Sequence, residues 1–150
     1  YLYMDTIKNK YLKYKFKYMN LKSDILIGGG DTHNMKLKEP YFTQVSNGIK
    51  TIEGRINDEK RQKIKVGDTI VFTSEETGEI VYKSVSSLKS FNKEKTFSDV
   101  ITEYNYKLLI PDAENVEEAV KVYTDIPSYV NNASKYGILF ICLRNPPPMM

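Results

Sequence analysis

From Met35 to Leu143 short apolar runs and turn signals follow one another so closely that a helical bundle is excluded. Met35 and Leu37 alternate with Lys36 and Lys38, as on a half-buried strand. Pro40 suits the first turn of a helix carrying Tyr41, Phe42 and Val45, and Gly48 suits its C′ position. Thr51 to Ile56 then reads as a strand, with Gly54 allowing a close approach. The charged connection 57–65 leads to a turn at Val66-Gly67-Asp68 and a strand from Thr69 to Thr73. Glu76-Thr77-Gly78 is a hairpin signal, and Ile80 to Val85 is the returning strand. Thr96 with Asp99, and Asn115 with Glu118, mark two helix starts. Gly137 to Leu143 is a buried strand, ended by Arg144 and Pro146-Pro147-Pro148. Strands and helices do not alternate regularly, which argues against a doubly wound sheet. The pattern predicts an α+β domain built on a small closed or nearly closed β-barrel, with short helices on its rim.

Upstream, Ile7, Tyr11, Tyr14, Tyr18 and Leu21 recur at spacings of four and three, the seam of an amphipathic helix from Met4 to Leu21. Gly28-Gly29-Gly30 then reads as a flexible linker. The chain accordingly divides into a Lys/Tyr-rich helical arm and linker (1–33), a folded domain (34–145) and a Pro-rich tail (146–150). Residues 1–34 hold six Lys against three Asp, whereas basic and acidic residues balance in the remainder. Bulk electrostatics alone would not make the folded domain a strong binder of nucleic acid. No segment approaches the ~18 apolar residues that span a bilayer, and no membrane partner is expected. Cys142 is the single cysteine, so no intramolecular disulfide is possible, and a reduced thiol favours an intracellular compartment. With one histidine, His33, placed in the Gly-rich linker, neither a metal site nor a cofactor is implied.

The richest chemistry lies in Gly48-Ile49-Lys50-Thr51-Ile52-Glu53-Gly54-Arg55. On an extended segment Glu53 and Arg55 face the same side, and Lys50 at the preceding turn can curl over it. Arginine holds phosphate or a base edge in bidentate fashion. Glutamate accepts from an exocyclic amine or serves as a general base. Lysine binds phosphate, or acts as a nucleophile or acid when burial lowers its pKa. The plain alternative is a surface ion pair with a solvated lysine.

These residues match G-x-K-x-x-E-x-R, the signature of the ASCH domain, at every fixed position. The flanks EPYFTQVSNGIKTIEGR, IKVGDTIVF, ENVEEAVKVYTDI and YGILFICLR resemble that family in the same order. The resemblance implies a PUA-like β-barrel that binds or modifies RNA. It makes Lys50, Glu53 and Arg55 the functional trio, with Thr51 as a hydroxyl neighbour and RNA or a nucleoside-like ligand as partner. One branch of the family hydrolyses N4-acetylcytidine with the signature lysine, a threonine and a downstream acid. Lys50 matches that lysine, but Glu53 occupies the threonine's position, and the acid would be Asp112 or Glu114. By this route Lys50 and Glu53 are the candidate catalytic residues of an amidohydrolase or a ribonuclease. Tyr104 and Tyr106 are candidate base-stacking residues, or rim packing.

The arm has its own resemblance: DTIKNKYLKYKFKYMNLK followed by a glycine run is similar to the start of many proteins of mimivirus-like giant viruses. That implies a start at Met4, location in an infected host cell or virion, and a role for residues 4–21 in self-association or viral assembly.

Overall fold

The computed structural model describes residues 9–11 and 30–148. Residues 9–11 are helical and exposed; the rest of the expected arm helix, with Gly28 and Gly29 of the linker, lies outside the described residues. Five strands form one mixed sheet: β1 (Thr32–Leu37), β2 (Ile52–Ile56), β3 (Thr69–Ser74), β4 (Ile80–Ser90) and β5 (Ile138–Arg144). Their order is β1-β3-β4-β5-β2, with β1 parallel to β3 and every other pair antiparallel. The long β4 bends the sheet into a curled half-barrel. Its first half pairs with β3 and its second with β5, and the register slips between Val85 and Ser87. An extra residue at such a point kinks and twists a strand. Of the expected closed or nearly closed barrel, the sheet forms an open half, because β1 and β2 are both edges.

Five short helices accompany the sheet: α1 (Tyr41–Ser46), α2 (Phe97–Thr102), α3 (Tyr106–Leu109), α4 (Val116–Thr124) and α5 (Tyr129–Tyr136). The α1 helix joins the two edge strands and fills the hollow of the curl. Its Phe42 and Val45 pack with Met35, Phe72, Leu139 and Ile141. Asn47 closes α1, and Gly48 follows at φ +83°, in the left-handed region where glycine is favoured. The other helices cover the outer face, where Ile52, Ile138 and Phe140 meet Val100, Leu109 and Ala119. Both predicted helix starts are present. Thr96 and Asp99 form a reciprocal capping box on α2, and the Asn115 side chain accepts from the Glu118 amide at 2.9 Å on α4. The β5 strand is buried on both faces, since alternate residues enter the two cores.

The β1 strand begins before Met35, so His33 is a strand residue and not part of a linker. Its Nε2 lies 2.8 Å from Asp68 Oδ2. Asp68 is buried at the turn into β3, and it also accepts from the Asp31 and Lys65 amides at 3.1 and 2.9 Å. Burial alone would push the Asp68 carboxyl up, but the bonds from His33 and the two amides hold it below the ordinary value. A depressed carboxylate stabilises the fold above the unfolded pKa of about 4, and that stabilisation disappears as pH falls through the lower folded value. Asp68→Asn is therefore expected to cost about 2 kcal/mol at pH 7, the range for hydrogen bonds to a charged group. The difference from the parent should shrink below pH 3. Urea unfolding at the two pH values measures both, and an equal cost at each would remove the carboxylate from the account.

Candidate functional site

Lys50, Glu53 and Arg55 sit where the half-barrel is open. Gly48 turns the chain out of α1, the Lys50 amide donates to the Gln44 carbonyl at 3.0 Å, and β2 starts at Ile52. Pairing with β5 places Glu53 opposite Ile141 and Arg55 opposite Leu139, so both acidic and basic side chains face the hollow of the curl. Ile52 and Ile56 face the helices instead.

Two of the three charges are internal, and Arg55 is partly exposed. Lys50 is 2 % exposed and Glu53 5 %. Lys50 Nζ donates to the Ile52 carbonyl at 2.7 Å and to the Leu109 carbonyl at 2.5 Å. It also lies 3.6 Å from Glu53 Oε1, while Glu53 Oε2 lies 3.5 Å from Arg55 Nη2. The same Arg55 nitrogen donates to the Lys36 carbonyl at 3.0 Å. One guanidinium thus bridges the two edge strands across the gap in the barrel. Burial pushes the Lys50 ammonium below its ordinary pKa; Glu53 opposes this and Arg55 adds to it. Burial also works against the Arg55 charge, but Glu53 and the nearby Tyr129 and Tyr123 phenols outweigh it and raise its pKa.

Three tyrosines surround this set. Tyr41, half-buried, has its ring 5.9 Å from Lys50 Nζ. Burial raises its pKa, and Asp112 and Glu53 raise it further. Tyr123, on α4, reaches the sheet through the opening left by Gly54: a Cβ at residue 54 would stand 2.9 Å from its hydroxyl. That hydroxyl is buried and has no hydrogen-bond partner among the described residues. Burial, followed by Glu53, drives the phenol pKa well up, and the adjacent Gly54 amide opposes this. Tyr129, on α5, stacks on Phe97 at 6.0 Å, as does Tyr123 at 5.2 Å. Burial raises its pKa, and the charges it senses are Arg55, Glu53, Arg61 and Asp58. Sequence reasoning missed Tyr123 and Tyr129, although the chain's twelve tyrosines were a signal.

Thr51 is half-buried, and its backbone ties β2 into the fold: its amide donates to the Leu108 carbonyl at 3.1 Å and its carbonyl accepts from Leu143 at 2.8 Å. Neither Asp112 nor Glu114 forms an ion pair with Lys50; the group that reaches Lys50 from that segment is the Leu109 carbonyl. Both carboxylates are exposed, and only Asp112 is felt at the site, through Tyr41. Tyr104 and Tyr106 are packed rather than free to stack bases. Tyr104 meets Phe140 edge-on at 5.2 Å, and the Tyr106 hydroxyl donates to the Glu114 carbonyl at 3.1 Å. Among the described residues no cluster of three His, Cys, Asp or Glu could hold a metal, and no helix is long and apolar enough to cross a membrane.

Comparison with solved structures finds the same fold elsewhere. The hypothetical protein PH0355 is 31% identical, with a TM-score of 0.64 over 75% of this chain and 97% of that one. Protein PF0455 from Pyrococcus furiosus is 25% identical, with a TM-score of 0.56 over 78% and 99% of the two chains. A search of curated proteins gives no significant match. The ASCH domain matches residues 35–141, which contain β2 with its lysine, glutamate and arginine and most of the sheet, so this chain belongs to the ASCH domain family.

Proposed function

We infer that this chain binds RNA or a nucleoside-like ligand at the cleft bounded by Lys50, Thr51, Glu53 and Arg55. The observation that carries this reading is the burial of Lys50 and Glu53, with Arg55 only partly exposed, at a gap the fold could have closed with apolar side chains. Taking such ions out of water costs several kcal/mol each, and an apolar replacement of similar volume is often neutral or stabilising. A set retained at that cost, beside an unpaired tyrosine hydroxyl, marks a site for polar recognition. Glu53 would accept from an exocyclic amine such as the cytosine 4-amino group, and Arg55 would hold a base edge or phosphate.

Binding is favoured over hydrolysis by the surroundings of Lys50. Two carbonyls hold its ammonium and no second acid approaches it, so the amidohydrolase pattern lacks its downstream partner. Calorimetric titration of the full chain with cytidine and with N4-acetylcytidine tests the reading. Arg55→Ala should weaken binding at least tenfold, about 1.4 kcal/mol, as expected for one charge-assisted hydrogen bond. Arg55→Lys keeps the charge and loses the fork, so it should recover only part of the affinity. Equal affinity in all three proteins would exclude the cleft, and release of cytidine from the acetylated nucleoside would assign hydrolysis instead.

A further inference from the structure

Open space lies on the side of the sheet that carries Arg55. A cavity of about 210 Å³ is floored by Ile64, Leu88 and Leu139, with Arg61, Asn57 and Ser90 among its polar wall. Two observations join it to the signature cleft. Leu139 is the direct cross-strand neighbour of Arg55 on the same face of the sheet. The charges of both the Arg55–Glu53 pair and the Arg61–Asp58 pair act on the Tyr129 phenol. At this size the cavity falls short of the ~300–1,000 Å³ of a self-sufficient ligand pocket, and suits one part of a longer ligand.

The segment that supplies Arg61, Gln62 and Ile64 to the cavity, a basic strap at its edge, carries the complementary charge. Residues 58–65 contain Lys60, Arg61, Lys63 and Lys65 against Asp58 and Glu59. The three lysines are exposed, and Arg61 Nη1 is steadied by Asp58 Oδ2 at 2.9 Å. The floor offers apolar contact rather than the aromatic stacking of a single-strand binding groove, and the neighbouring cations supply the positive charge that tracks a phosphate backbone in such grooves.

We propose that this cavity and its basic strap form a second subsite, taking the nucleotide next to the one held in the cleft. The ligand of the cleft is then a single-stranded RNA rather than a free nucleoside, an inference that rests on the function proposed above. The flanking base lies on Ile64, Leu88 and Leu139, and its phosphates meet Arg61, Lys60 and Lys63.

The test compares a fluorescein-labelled cytidine hexanucleotide with cytidine on the full chain across a salt series. The arm's lysines are present in every variant, so they cancel when the variants are compared on the same ligand. The hexanucleotide should bind at least tenfold more tightly than cytidine. Lys60→Gln with Lys63→Gln should flatten the slope of log affinity against log salt by about 0.7 per lysine, the single-strand value. Ser90→Trp fills the mouth of the cavity without altering charge, and should bring hexanucleotide affinity down to that of cytidine for the parent protein. Thermal melts confirm that each variant is folded. Equal affinity for the two ligands in the parent, with cytidine bound, overturns the second subsite and leaves the cleft standing. An unchanged slope and affinity in all the variants overturns it too. Failure of both ligands to bind overturns the cleft reading and this one together.

Discussion

Glu53→Ala is expected to destabilise the protein by about 3–5 kcal/mol, the range for removing one member of a buried ionic set. For a domain of this size that lowers Tm by roughly 10–20 °C. The reason is what remains behind. Lys50 and Arg55 are left facing each other in the gap, one almost wholly buried and the other with 15 % of its side chain exposed. Arg55 cannot give up its proton. Lys50 can, because burial and Arg55 already lower its pKa and the opposing Glu53 is gone. The variant therefore carries a pH signature. Between the lowered folded pKa of Lys50 and the unfolded value of about 10.4, the unfolded chain binds a proton that the folded one lacks, so stability rises with pH. Urea unfolding at pH 7 and pH 9.5 should show the gap to the parent narrowing at the higher pH. A constant gap would mean that Lys50 stays charged in the variant, held by the Ile52 and Leu109 carbonyls alone.

The same set gives a sharper comparison when it is removed whole. Lys50→Met, Glu53→Leu and Arg55→Met together leave no uncompensated charge, and should restore stability to the parent level or above it. Ligand binding should not return. If the triple variant is as unstable as Glu53→Ala, the network is holding the edge strands together, through the Arg55 bridge to the Lys36 carbonyl. The functional reading would then lose its main support.

The site was legible in part because its residues are local. Gly48, Lys50, Glu53 and Arg55 lie within eight positions, and the two-residue period of a strand was enough to place Glu53 and Arg55 on one side. Their burial was not legible. Charged residues on a strand usually face water, and here the α1 plug and the half-barrel enclose them. What completes the site comes from far along the chain: the Leu109 carbonyl, the Tyr123 hydroxyl and Tyr129. Tyr123 carries a helical apolar spacing, which predicts that it is buried but says nothing about where its hydroxyl ends. The α5 helix was missed because its sequence, YVNNASKY, has two asparagines and no capping side chain, and Ser128 before it adopts a left-handed conformation. It is held by tertiary packing of Tyr129 and Ala133. His33 was misplaced for a related reason. Its strand forms by parallel pairing with β3, a partner about thirty-seven residues away that no local pattern announces.

Gly137→Ala is the second large effect, expected at about 3–5 kcal/mol from strain and collision combined. Gly137 ends α5 at φ 86° and ψ 178°, a region essentially reserved for glycine. A Cβ there would also stand 2.5 Å from the Phe91 carbonyl oxygen, which is backbone and has little room to yield. The junction is anchored on both sides, since the Gly137 carbonyl accepts from Asn57 and the Ile138 carbonyl accepts from Phe91, each at 2.9 Å. Displacing it moves α5, which carries Tyr129, or β5, whose Leu139 lies opposite Arg55 and lines the neighbouring cavity. Gly78→Ala is the matched control. Its φ is +73°, but nothing lies within 4 Å of the added carbon, so only the backbone conformation is strained, at about 1–2 kcal/mol. Thermal melts of the two variants separate the contributions. A Tm drop at Gly137 two- to threefold that at Gly78 assigns the excess to the Phe91 contact. Equal drops would mean that the α5–β5 junction relaxes freely around the added carbon and that the Phe91 carbonyl yields.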